Sequence, residues 1–143
     1  MQVIERSALV GYTNGQMFEL VNDVARYPEF LPWCTRACVE TVDPNQNIAT
    51  LNIVRGILRT EFTTRNVAVG NSRLAMRLEK GPFKHLVGEW RFDSIGEHGS
   101  RVSLRVEFEF GNSWTGAALS GIFGSLCGTL VDAFVARARA LYG

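Results

Sequence analysis

From Trp114 to Tyr142 the chain contains no proline, and Phe123, Cys127, Leu130, Phe134, Ala138 and Leu141 recur at spacings of three or four. That period marks one face of an α-helix, here roughly seven or eight turns long at 3.6 residues per turn. A helix with one continuous apolar face has to cover an apolar surface of comparable size, and the sequence offers one candidate. Between Trp33 and Phe110, short runs are punctuated by turn signals at Asp43 to Asn47, Arg55-Gly56, Gly70-Asn71, Lys80-Gly81-Pro82 and Gly96 to Gly99. Such spacing is that of an antiparallel meander. Three of its strands have clear phase. Leu74, Met76 and Leu78 alternate with Arg73, Arg77 and Glu79; Leu86, Trp90 and Phe92 with Glu89, Arg91 and Asp93; Val102, Leu104, Val106, Phe108 and Phe110 with Arg101, Arg105, Glu107 and Glu109. The sheet therefore has a dry face for the helix and a wet face for solvent.

Residues 2–10 alternate well enough for a further strand. Thr13 then opens Thr-Asn-Gly-Gln, a capping box with Gln16 at its third position. Met17, Leu20, Val21 and Val24 make one helical stripe, which Tyr27-Pro28 ends. Pro28 and Pro32 bracket a second short helical turn around Phe30, and Gly111-Asn112-Ser113 marks the turn into the long helix. The expected architecture is α+β in two layers: about seven antiparallel strands, two short helices after the first, and the long C-terminal helix. At 143 residues the chain fits one domain, 1–143, large enough for a core without disulfides or metal.

Several classes of function are disfavoured. Glu5 and Arg6 interrupt the N-terminal apolar stretch, so no signal peptide is read and a cytoplasmic protein is expected. Cys34 and Cys38, in one strand, lie about 13 Å apart and cannot bridge. With two histidines and no CxxC pair, no metal site is expected. A net charge of +1 gives no global drive toward nucleic acid, and DNA is not an expected partner. Phosphate loops and Ser-His-Asp or Cys-His sets are absent.

Three features bear on function. Gly116, Gly121, Gly124 and Gly128 sit in the first half of the long helix, at about 1 kcal/mol each relative to alanine. They either let the helix approach the sheet closely or leave room for a ligand and flex as a lid. The stretch Phe110 to Val131 carries no charge, and its outer surface suits transient membrane contact. On the dry face, Phe62, Trp90, Phe92, Phe108 and Phe110 confront Phe123 and Phe134, either as plain core or as the wall of an apolar pocket. No ionisable residue falls in the inward phase of the three clear strands, which argues against a catalytic acid or base. On the wet side, residues 55–84 hold Arg55, Arg59, Arg65, Arg73, Arg77, Lys80 and Lys84 against Glu61 and Glu79. This face is either a solvated surface with cross-strand ion pairs or a partner surface of Arg59, Arg65, Arg73, Arg77, Lys80 and Lys84 for phospholipid or RNA phosphates.

The segments Arg6-Ser7-Ala8-Leu9-Val10, Met17 to Val24, Tyr27-Pro28-Glu29-Phe30-Leu31-Pro32-Trp33-Cys34, Phe62 to Asn66, Gly81-Pro82-Phe83-Lys84 and Gly88-Glu89-Trp90-Arg91-Phe92 closely resemble the coenzyme Q-binding protein family. The bacterial branch of that family is the ribosome association toxins. The resemblance covers about residues 2–142. It implies a START-like helix-grip fold, with ubiquinone or a related isoprenoid quinone or other apolar lipid in the cavity and a supporting role in respiratory electron transport. No other cofactor is implied. Carried onto this chain, the cavity candidates are Phe30, Leu31, Trp33, Phe62, Trp90 and Phe92. Phe123, Leu126 and Leu130 join them from the helix, and Met76 and Phe108 from the dry face. For the bacterial branch the resemblance implies an alternative, binding to the large ribosomal subunit that blocks subunit joining. A peripheral place at the inner membrane is compatible with a quinone ligand. Distant relatives are labelled polyketide cyclases, but no catalytic set transfers and the expectation is a non-enzyme.

Overall fold

A computed structural model describes residues 1–111 and 115–143 in full and Trp114 as backbone, so the turn expected at Gly111-Asn112-Ser113 lies partly outside the described residues. The strands are β1 (Gln2–Val10), β2 (Cys34–Asp43), β3 (Gln46–Arg55), β4 (Leu58–Val69), β5 (Arg73–Lys80), β6 (His85–Ile95) and β7 (Gly99–Glu109). The helices are α1 (Asn14–Asn22) and α2 (Trp114–Tyr142), and a 3₁₀ turn spans Val24–Glu29. The strands form one antiparallel sheet in the order β1-β7-β6-β5-β4-β3-β2. The six-strand meander and the long helix stand where the periodicities place them. Pairing of β1 with β7, from Gln2 opposite Phe108 to Val10 opposite Ser100, is a feature only the tertiary structure supplies. Because α1 and the 3₁₀ turn carry the chain across one end, β1 and β2 become opposite edges.

The capping box forms: the Gln16 N–H donates to Thr13 Oγ1 at 3.2 Å and the Thr13 N–H to Gln16 Oε1 at 2.9 Å. Two otherwise orphaned donors at the start of α1 are thereby satisfied. The second short helix differs from expectation. It runs from Val24 to Glu29 with Pro28 inside it and Phe30 just beyond its end, rather than between Pro28 and Pro32. A tight 3₁₀ turn accepts the fixed φ of proline, and the Tyr27 hydroxyl anchors this one by donating to the Val21 carbonyl.

Alternation along the strands sends Val102, Leu104, Val106 and Phe108 of β7 inward, where all are buried. Two aromatic groups hold α2 against this face. Phe134, fully buried, meets Tyr27, Phe30 and Trp90 with ring centroids 5.2–5.3 Å apart. Nearer the start of α2, Phe123 meets Phe83 and Phe108 at 4.9 Å, Phe110 at 5.8 Å and Phe62 at 6.0 Å. These contacts are edge-to-face, the geometry ring quadrupoles favour. By length and composition α2 could cross a bilayer, but here it is the core helix that covers the sheet.

The helix glycines serve close approach. A Cβ at Gly124 would lie 3.3 Å from Gln2 Oε1 and 3.5 Å from a ring carbon of Phe108, and one at Gly128 3.3 Å from an Arg6 guanidinium nitrogen. At Gly116 it would lie 2.6 Å from the Gly111 carbonyl oxygen, which no side chain tolerates. Gly121 faces open space. The glycines thus draw α2 onto β1 and the end of β7.

Burial separates the three cysteines: Cys34 and Cys127 are buried and Cys38 is exposed. Desolvation raises the Cys34 thiol pKa and pushes that of Cys127 up to about 12. Since the thiolate is the reactive form, at about pH 8 one thiol per native chain, Cys38, should react rapidly with a disulfide reagent. A Cys38→Ser variant should lose that phase, with the other two thiols appearing on denaturation. Separately, Phe134→Ala should cost about 3–5 kcal/mol, measured by denaturant unfolding, because it removes the partner of three rings at once.

Candidate ligand cavity

Between the two aromatic groups the helix presents smaller side chains, Leu126, Cys127 and Leu130, and the sheet curves away from them. The result is a cavity of about 100 Å³. Its floor is Leu104 and Val106 of β7, Leu86, Gly88 and Trp90 of β6, and Met76 of β5. Leu51 and Ile53 of β3 and Phe62 and Thr64 of β4 make one wall, while Tyr27, Trp33, Phe123 and Phe134 close the ends. Gly88 shapes the floor: a Cβ there would sit 2.7 Å from Met76 Cε, so the methionine methyl occupies the space a side chain would need.

Seven of the expected residues therefore surround the cavity: Trp33, Phe62, Met76, Trp90, Phe123, Leu126 and Leu130. Four stand away from it. Phe30 packs outside Phe134, with the Arg137 guanidinium 4.9 Å over its ring. Leu31 is buried where the chain leaves the 3₁₀ turn, its N–H donating to the Tyr27 carbonyl. Phe92 lies beyond Trp90 and meets Phe18 of α1. Phe108 is filled against Phe110 and Phe123 beneath Gly124. None of the α2 glycines lines the space, so the volume comes from sheet curvature and from the ring spacers rather than from missing helix side chains.

The wall residues outside the expected set include Leu51, Ile53 and Thr64 of β3 and β4, and the phase of β3 is hard to read in QNIATLNIVR. With Phe62 inward, a period of two would have brought Thr64 and Asn66 to the same face. They form a polar seam in the interior. Thr64 Oγ1 donates to Asn66 Oδ1 at 2.9 Å, and Asn66 Nδ2 donates to Asn47 Oδ1 at 2.8 Å. Asn66 is 3% exposed, so this bonding is what makes its burial affordable.

The cavity's ionisable groups are Tyr27 and Cys127, and burial raises the pKa of both, leaving them neutral near pH 7. Beyond the three clear strands, β1 does carry a charge in the inward phase: Arg6, opposite Leu104, lies over Gly128 at the margin of α2, outside the cavity. Among the described residues no group of His, Cys, Asp and Glu could hold a metal.

The outer face of the sheet holds a second, larger concavity of about 970 Å³, open to solvent and lined by charges such as Arg65, Arg77, Glu89 and Arg105. Much of that charge is internally matched. Arg65 bonds Glu79 at 2.7 Å, and Glu89 takes Arg73 at 2.7 Å as well as Arg91. Desolvation alone would raise the Glu89 pKa, but the hydrogen bonds from Arg91 and Arg73 outweigh it and hold the carboxyl below the usual range. Of the expected partner surface, Arg65 and Arg73 are thus engaged within the sheet. Arg59, Arg77, Lys80 and Lys84 make no ion pair among the described residues.

The chain is similar to known proteins along most of its length. Ribosome association toxin RatA of Pseudomonas aeruginosa is 43% identical over 140 residues, 98% of this chain and 97% of that protein. The mitochondrial coenzyme Q-binding protein coq10 of Schizosaccharomyces pombe is 26% identical over 145 residues, 97% of this chain and 88% of its own. Among solved structures, the ZhuI aromatase/cyclase from Streptomyces superposes with a TM-score of 0.84 at 16% identity, covering 96% of this chain and 93% of its own. Residues 10–135 match the polyketide cyclase / dehydrase and lipid transport family, and the chain belongs to that family.

Proposed function

We propose that the chain binds an apolar, ring-bearing lipid of the isoprenoid quinone class between the sheet and α2, and acts in the cytoplasm as a carrier in support of respiratory electron transport rather than as an enzyme. The observation that carries this reading is the cavity itself: a lining of apolar side chains and aromatic rings, with Thr64 the hydroxyl in one wall. An apolar surround with few polar groups is what a lipid ring needs, and it leaves a charged substrate without a partner. The name of the fungal relative, coenzyme Q-binding protein, supports the quinone. The similarity to an aromatase/cyclase is one of fold. In the cavity here, the neutral Tyr27 and Cys127 are poor candidates for a general acid or base.

A volume of about 100 Å³ is below the 300–1,000 Å³ usual for ligand sites. That volume admits a ring or part of a tail, so a whole prenyl lipid would extend beyond it. Trp33 and Trp90 flank the chamber and report on it. A short-chain quinone should quench tryptophan fluorescence saturably. Replacing Leu130 with Trp, to fill the space, should weaken that binding by about tenfold or more for one lost ring site. Solvent extraction of freshly purified protein should also release a quinone detectable by mass spectrometry. A protein that is empty as purified and shows no saturable quenching would overturn the reading.

A second reading, binding to the large ribosomal subunit, is favoured by the 43% identity to a ribosome association toxin and by the free cations Arg59, Arg77, Lys80 and Lys84. Arg59→Glu/Arg77→Glu should reduce co-sedimentation with large subunits at low salt by about tenfold, since neither group makes an ion pair among the described residues. An unchanged profile would remove the basic surface from that interaction.

A further inference from the structure

We propose that the tip of the β3–β4 hairpin, together with the outer side of the first half of α2, is a docking surface for an anionic lipid bilayer. It rests on the apolar-ligand reading only in the use made of docking; the surface stands on its own features.

The tip is Arg55-Gly56-Ile57-Leu58. Gly56 turns the chain at a φ of +57°, leaving Leu58 buried and Ile57 66% exposed. An isoleucine so exposed at the apex of a hairpin has no role in the core. Val54, just before the turn, is also exposed. Arg55 and Arg59 flank the apex, both exposed and neither engaged in an ion pair among the described residues. At the same end of the sheet, Lys80 and Lys84 bracket the β5–β6 turn and are likewise exposed and unpaired. The acids nearest in sequence stand back from the tip: Glu79 is bound to Arg65, and Glu61 accepts from Asn52.

The hairpin reaches the helix. A Cβ at Gly56 would lie 4.0 Å from Ile122 Cδ1, so the tip and α2 form one continuous surface. Along α2 the exposed positions here are Thr115, Ala117, Gly121, Ser125 and Thr129, and no charged residue occurs between Glu109 and Asp132. An exposed apolar apex and an uncharged helix side, ringed by free cations, are complementary to a bilayer interface. Ile57 can enter the acyl boundary, the helix side loses no charge hydration, and the cations meet anionic headgroups.

Ribosomal RNA would also attract the cations. It gives no reason for an exposed isoleucine between them or for the adjoining uncharged helix, and no aromatic side chain is present at the tip to stack a base. Docking here would also bring the seam between Gly56 and Ile122, beside the cavity residues Ile53 and Phe123, up to the membrane from which an apolar ligand is drawn.

The test is vesicle flotation of the full chain with phosphatidylcholine alone and with about one-third phosphatidylglycerol, at low and high salt. Binding is expected to the anionic vesicles, weakened by salt. Arg55→Glu/Arg59→Glu should reduce it more than about tenfold, given roughly a fivefold effect per cation near an anionic surface. Ile57→Asp should reduce it comparably, whereas Arg101→Glu/Arg139→Glu, an equal charge change away from the tip, should leave most of it. All variants change exposed side chains, and retention of short-chain quinone quenching shows that each is folded and loads its cavity. Absence of vesicle binding, or equal losses in all three variants, overturns the proposal. So does loss of large-subunit binding in the tip variants without any vesicle binding, which would assign the cations to RNA. In each case intact quenching would show the cavity reading surviving while docking fails; vesicle binding without quenching would show the reverse.

Discussion

Phe123 and Phe134 stand three helical turns apart on α2, about 16 Å along its axis, and each is the centre of an edge-to-face ring cluster. These clusters set the height of the helix above the sheet. A phenyl ring standing edge-on to its neighbours keeps two backbones further apart than leucine or valine would, and each such pair adds roughly 0.5–1.5 kcal/mol beyond the area it buries. Between the two supports Leu126, Cys127 and Leu130 are too short to fill the remaining depth, and the chamber is what is left over. The same rings therefore serve as core and as the end walls of a site. The choice between core packing and pocket lining dissolves into a division along the helix: Phe92 and Phe108 belong wholly to the core, whereas Phe62, Trp90 and Phe123 do both.

The helix is held unevenly across its width. On the β1 side, Gly124 and Gly128 bring backbone and sheet edge into contact, and Gly116 allows the same at Gly111. On the β3–β4 side the helix meets the sheet through Phe123 on Phe62, ring centroids 6.0 Å apart, and Ile122 reaches toward the hairpin turn at Gly56. The cost of three of the four glycines, Gly116, Gly124 and Gly128, is thus attached to close approach on the β1 side, whereas Gly121 faces open space.

The wet face shows how part of a locally basic segment is matched within the sheet on folding. Register places Arg65 opposite Arg77 and Arg73 opposite Arg91, juxtapositions that would repel. Glu79 and Glu89 stand among them and satisfy Arg65, Arg73 and Arg91. Exposed pairs of this kind contribute little to stability, about 0–1 kcal/mol each, but they consume charge that would otherwise be offered to a partner. The cations that remain free lie at Arg77 and at the hairpin end of the sheet.

Local pattern was sufficient for the elements. The strand punctuation, the Thr13–Gln16 capping box, the proline-free helix from Trp114 and the inward phase of β5, β6 and β7 all depend on neighbours within a few residues, and all could be read directly. The 3₁₀ turn was displaced because proline restricts its predecessor statistically, whereas the Tyr27 bond to the Val21 carbonyl is a tertiary choice. Of the seven cavity residues, Phe62, Trp90 and Phe123 were legible because large inward side chains announce themselves, whereas Trp33 and Leu126 were reached through the family resemblance. Leu51, Ile53 and Thr64 were not legible, because mixed polar and apolar strands acquire a phase only from the partner they pair with, here Leu51 opposite Phe62. Family membership, the two-layer architecture and the apolar character of the interior followed from the sequence by itself. Which glycines close a seam, which arginines stay free, and how much space the rings leave depend on distances between residues far apart in the chain, and only the folded structure decides those.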